Sequence, residues 1–93
     1  MEGQEQLEKD LRELGRRRLV TMVSDHRYFL PHQLQQLAGI AQELAKTEPF
    51  TARAFRDATG MGRNVAIDVL EYFDSRGFTR RQGDVRIVLR EQL

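Results

Sequence analysis

The sequence predicts a mostly α chain with small β-hairpins: an α+β winged helix-turn-helix, preceded by the helix and wing of a second, truncated one. Three observations predict it. Residues 50–89 read as helix, tight turn, helix and hairpin, with glycines at the joints. Leu34, Leu37, Ala38, Ala41, Leu44 and Ala45 form an apolar stripe of helical period that supplies the helix needed before such a unit. Residues 1–30 repeat the helix-and-hairpin half of the same plan.

Each element has a local cause. Leu7, Leu11 and Leu14 mark a short amphipathic helix within residues 4–18. Leu19 to Val23 and Arg27 to Leu30 read as strands around Ser24-Asp25-His26. Pro31 stands where a helix begins, since its missing N–H costs nothing there. Thr47-Glu48-Pro49 ends that helix, expected over 33–46, and Pro49-Phe50 can add a short third strand to the later wing. Thr51 is an N-cap, its hydroxyl placed to accept from an unpaired amide, with Phe50 and Phe55 stapling the chain into a helix over 52–59. Gly60 closes that helix in the left-handed conformation that only Gly reaches at low cost. Gly62 caps the next one, over 63–76, less well than Ser or Asp would. Val65, Ala66, Val69, Leu70 and Phe73 recur at helical spacing and should face a core, and Gly77 stops the helix. Phe78 to Arg81 and Val85 to Leu89 flank Gln82-Gly83-Asp84 as a wing across 78–90. In its second strand Val85, Ile87 and Leu89 share one face, and Arg86, Val88 and Arg90 the other.

Adding 59 to each early position aligns the two halves without a gap: Leu11 falls on Leu70, Leu14 on Phe73, Leu19 on Phe78, Asp25 on Asp84, Arg27 on Arg86 and Leu30 on Leu89. The expected division is therefore 1–30, the helix and wing of a preceding winged helix, and 31–93, a complete one. A chain that starts inside a domain is expected to be a fragment of something longer.

Composition narrows the function classes. Ninety-three residues suffice for one small domain plus a fragment. There is no cysteine, hence no disulfide and no thiolate metal site, and His26 and His32 are isolated from other metal-ligand types. No apolar run is long enough to span a bilayer, and no signal-peptide pattern opens the chain, so a cytoplasmic location is expected. Net charge is only +1, which argues against a general polyanion binder. The basic residues are unevenly spread: residues 51–93 hold eight Arg against six acids, whereas residues 1–50 hold seven Lys or Arg against eight acids. No Ser/His/Asp grouping accompanies a strand-to-helix elbow, and Asp68, Glu71 and Asp74 read as a solvent-facing row, so no catalytic residue is assigned and an enzyme is rejected.

The run GMGRNVAIDVLEYFDSRGFTRRQGDVRIVL is similar to the carboxy-terminal winged helix of the bacterial selenocysteine-specific translation elongation factors, the SelB family. The motifs that carry the resemblance are FRDATG, then G-R-x-x-A-I ahead of LEYFD, then GFTRR-x-GD-x-R. It is strong over residues 50–90 and collinear over 14–49, where a preceding winged helix would end in LVTMVSDHRYFL. The resemblance implies an RNA-binding module that grips an mRNA hairpin, the selenocysteine insertion element, beside a UGA codon. It implies a GTPase elsewhere in the full-length protein, using GTP and carrying selenocysteyl-tRNA to the ribosome. No phosphate-binding loop ending in Gly-Lys-Ser/Thr occurs in this chain, and no cofactor is expected for it. The matching motif positions are Arg63 and Asn64. Family members often carry Lys where Asn64 stands, a change that removes one charge.

Beside Arg63 and Asn64, the RNA-binding candidates are Arg53, Arg56, Arg80 and Arg81. Each has a plainer alternative. Arg63 and Asn64 can be an ordinary solvated helix start, although unpaired amides and the dipole favour a phosphate there. Arg53 or Arg56 can pair with Asp57 or a neighbouring acid. Arg80 and Arg81 point to opposite sides of a strand, so at most one faces RNA directly and the other can pair with Asp74 or Asp84. Arg16-Arg17-Arg18 reads as a solvated helix end, and Tyr72 and Phe73 as packing rather than base-stacking platforms. A winged-helix DNA-binding transcription regulator and a protein-interaction winged helix remain the alternatives. The segment 4–18, without the helices that would cover its leucines, is expected to pack on the later module, associate with a second copy, or fray.

Overall fold

The computed structural model describes Leu7, residues 9–13 and residues 19–93. Residues 9–13 are helical; Leu7 is exposed and Leu11 half-buried, while Leu14 and Arg16, Arg17 and Arg18 lie outside the described residues. Thereafter the elements run β1 (Thr21–Ser24), β2 (Arg27–Phe29), α1 (Pro31–Ala45), β3 (Phe50–Thr51), α2 (Ala52–Thr59), α3 (Arg63–Ser75), β4 (Thr79–Gln82) and β5 (Val85–Val88).

The helix boundaries follow the caps. Helix α1 starts at Pro31, two residues before the expected Gln33, because the Gln33 side chain accepts the Leu30 N–H at 3.0 Å and so satisfies an amide outside the first turn. Thr51 Oγ1 accepts the Ala54 N–H at 3.0 Å and opens α2. Gly60 ends it at φ 73°, and Gly62 opens α3 without a side-chain bond. Gly83, at φ 63°, turns the wing.

The core lies where the three helices meet the wing. Leu34, Phe55, Val69, Leu70, Phe73 and Phe78 are its largest enclosed side chains. Phe73 is the hub, meeting Phe55 edge-on at 6.3 Å and Phe78 at 5.2 Å between ring centroids. Tyr72 packs against the same cluster from its margin, as a core neighbour rather than a platform. The expected third strand is present: β3 pairs with β5, giving the order β3-β5-β4.

Three features depart from the sequence reading, and the structure also decides which wing face, left open by alternation, turns inward. Val65 is half-buried and outside the core cluster, on the side of α3 that meets the early hairpin. In β5 it is Val88, on the face shared with Arg86, that packs against the core, while Leu89 is exposed. Thr79 is buried at the start of β4, and the pairings Thr79↔Val88 and Arg81↔Arg86 fix that face inward. The gapless repeat also slips. In the first hairpin Thr21 pairs with Phe29 and Ser24 with Arg27, with a bulge between Met22 and Ser24. Its turn falls at Asp25-His26, whereas the later turn falls at Gly83-Asp84. Asp25 therefore does not take the place of Asp84; the bulge adds the residue that separates them. Finally, Asp68, Glu71 and Asp74 do not form one solvent row. Six residues of helix separate the two aspartates by about 240°, and each holds an arginine from a different hairpin.

The first hairpin is not detached. Val23 and Phe29 pack on the common core, and Arg27 Nε donates to Asp68 Oδ2 of α3 at 2.6 Å. Helix α3 thus sits between two hairpins. Sheet β1-β2 has no third strand beside it among the described residues.

Candidate nucleic-acid interface

The tight turn Gly60–Gly62 brings the end of α2 beside the start of α3. Arg53 and Arg56, three residues apart, share a side of α2, and Arg63, Ala66 and Ile67 share a side of α3. The two sides face each other across a groove of about 400 Å³ lined by Ala52, Arg53, Arg56, Arg63, Ala66 and Ile67. Three of the six candidate residues are therefore gathered at one place, with alanines on both helices that keep the groove open.

The electrostatics of this groove favour an anion. Arg63 occupies the first position of α3, where the unpaired amides and the positive end of the helix dipole lie. Asn64 is exposed beside it, in the same first turn but outside the groove lining. Arg56 reaches Asp57 at 3.6 Å, as the plainer alternative allowed. That pair is solvent-exposed on the acid side and worth little, so it does not withdraw Arg56 from the groove.

Arg80 and Arg81 are exposed on β4 and are not among the groove residues. Their opposite orientation is as expected: Arg80 shares its face with Ile87, and Arg81 with Arg86. Asp74 holds neither. Its carboxylate accepts from Arg86 Nε at 3.2 Å on both oxygens, from Arg86 Nη2 at 3.0 Å and from the Thr79 hydroxyl at 2.6 Å. Arg81 instead donates from Nε to the Gly83 carbonyl at 2.9 Å.

Sequence reasoning missed the two arginine–aspartate pairs. One signal was available: Arg86 stands on the strand face that also carries Val88, a poor place for a cation without an acid partner. The identity of each acid depended on how the hairpins pack and could not be read from spacing.

A larger hollow of about 620 Å³ between α1 and β5 is lined by residues of both signs, Glu43, Lys46, Arg90 and Glu91 among them, and has no excess charge to select an anion. Among the described residues no group of His, Asp and Glu could hold a metal ion, and no helix is long and apolar enough to cross a membrane.

Comparisons with known proteins converge. The family model described as "Elongation factor SelB, winged helix" matches residues 42–88. The selenocysteine-specific elongation factor of Escherichia coli (strain K12) is 37% identical over 75 residues, covering 80% of this chain. That of Haemophilus influenzae (strain ATCC 51907 / DSM 11121 / KW20 / Rd) is 29% identical over 75 residues. The chain spans only 12% of the length of either relative. Among solved structures, the mRNA-binding domain of elongation factor SelB from E. coli in complex with SECIS RNA aligns with a TM-score of 0.83 and 32% identity, over 89% of this chain and 69% of that one. A bacterial selenocysteine-specific elongation factor, EF-Sec, aligns with a TM-score of 0.76 and 25% identity, over 86% of this chain and 13% of that one.

Proposed function

The chain belongs to the winged-helix family of elongation factor SelB, and we propose on that premise that it is the RNA-binding module of a selenocysteine-specific elongation factor, recognising a selenocysteine insertion hairpin in mRNA during UGA recoding. The observation that carries the proposal is the groove where Arg53, Arg56 and Arg63 converge at the start of α3. Guanidinium forks match phosphate oxygens in pairs, and the helix start adds unpaired amides beside them. The deep, narrow major groove of an A-form stem excludes a helix, so recognition runs along the phosphate path and through an unstacked base. In this reading Arg53, Arg56 and Arg63 hold the backbone. Asn64 meets a base edge or the backbone, and one of the wing arginines, Arg80 or Arg81, makes a second contact. With Asn at position 64, one charge fewer bears on the phosphates than a Lys would supply.

The chain performs no chemistry in this scheme. GTP hydrolysis, the carriage of selenocysteyl-tRNA and contact with the ribosome belong to the remainder of a longer, cytoplasmic protein. Filter binding tests the proposal with three ligands: an RNA hairpin carrying one bulged nucleotide, the same hairpin without the bulge, and a DNA duplex. The bulged hairpin should bind below the micromolar level and lose affinity as salt rises, each neutralised phosphate adding roughly 0.7–0.9 to the slope. Duplex DNA binding as tightly as RNA would favour a transcription regulator instead.

A further inference from the structure

Among the described residues, Thr79 and Arg86 are the buried polar side chains, and both end on Asp74. Arg86 comes from β5, Thr79 from β4 and Asp74 from the last turn and a half of α3. One carboxylate of the helix therefore binds both strands of the wing. A buried ion pair contributes little net stability, because loss of hydration offsets most of the attraction. An aliphatic side chain at position 86 would pack there as Val88 does two residues on. What the fork supplies beyond an aliphatic residue is direction: a fixed angle between the wing and α3.

The cluster also governs which wing arginine is presented. Arg81 stands directly opposite Arg86 on the same face, a like-charge pair that repels when both are free. Asp74 draws Arg86 inward and neutralises it, and Arg81 folds along the strand to the Gly83 carbonyl at the wing turn. Arg80, on the other face, stays exposed. We infer that Asp74 and Arg86 are positioning residues, which set the wing against α3 so that Arg80 reaches the same RNA whose backbone enters the Arg53–Arg56–Arg63 groove. The inference rests on the RNA-binding reading above.

The test is a coupling experiment on the full chain, with fluorescence anisotropy and an RNA hairpin carrying one bulged nucleotide. Arg80→Ala/Arg81→Ala is measured in the parent protein and in an apolar background, Thr79→Val/Asp74→Leu/Arg86→Met, which replaces the whole cluster at similar volume. In the parent, losing the wing pair should weaken binding about tenfold or more. In the apolar background, affinity should already be low although the melting curve stays cooperative, and losing the wing pair should cost less than about twofold. Arg86→Lys provides a second background, keeping the charge and losing the fork, in which the cost should fall between those two values. If the wing pair costs the same in every folded background, the inference is wrong. Arg63→Ala separates the two layers. If it binds like the parent, the RNA-binding reading falls and takes the inference with it. If it weakens binding while the wing shows no coupling, the inference alone falls.

Discussion

Arg63 is the side chain on which the binding account depends most, because it joins the groove to the first turn of α3. Losing one charge-assisted contact costs roughly 1.5–3 kcal/mol. Arg63→Ala should therefore weaken RNA binding by one to two orders of magnitude and flatten its salt dependence. Arg12→Ala, an exposed position outside the groove, should do neither. Titrations at several salt concentrations decide this. The two arginine–aspartate pairs call for opposite magnitudes. The Arg86 side chain is 7% exposed, and its removal leaves the Asp74 carboxylate at the core edge with the Thr79 hydroxyl but no cation. Such losses cost roughly 3–5 kcal/mol; the partly exposed carboxylate puts Arg86→Ala toward the lower figure. Arg27 is 37% exposed, and solvent screens its bond to Asp68, so Arg27→Ala should cost about 1 kcal/mol or less. Urea denaturation of both variants checks the order; equal losses would contradict it.

At the scale of elements, α2 is short and depends on its ends. Thr51→Ala removes the hydroxyl that accepts from Ala54 and should cost about 1 kcal/mol. Gly60→Ala meets open space but must hold φ 73°, a backbone strain of roughly 1–2 kcal/mol. Thermal melts that left either variant unchanged would show that packing alone holds this helix. The caps at Thr51 and Gly60, the proline start of α1 and the third strand at Phe50 were all legible in the sequence, since each is set by residues a few positions apart. The wing faces were not. Alternation separates Arg86 and Val88 from Val85 and Ile87, but only the register with β4 and the presence of Asp74 beneath decide which set turns inward. The same limit applied to the groove. Sequence marked Arg53, Arg56, Arg63, Asn64, Arg80 and Arg81 as one set; the packing of α2 on α3 gathers the first and third with Arg56 and leaves the wing pair apart. The repeat at an offset of 59 was a sound guide to the type of element, and a bulge invisible to it displaced the turn.

For the whole molecule, the important fact is that the early hairpin shares the core of the later module through Val23 and Phe29. The hairpin should therefore unfold together with the helices in one transition. We propose that the exposed Leu7, 57% accessible, drives self-association at high concentration. Light scattering of the full chain should then rise in apparent mass with concentration, and a version beginning at Leu19 should stay monomeric. A monomeric full chain across that range would end this part of the account.

An RNA hairpin bound where the start of α3 meets α2 would leave its mark on the backbone there. Amide chemical shifts of the isotope-labelled chain, followed while a bulged RNA hairpin is added, test that binding most directly. The largest shifts should fall at Arg53, Arg56, Arg63 and Asn64, with a second set at Arg80 and Arg81, all diminishing as salt is raised. Shifts centred on the hollow between α1 and β5, with residues 52–67 unmoved at saturation, would contradict it.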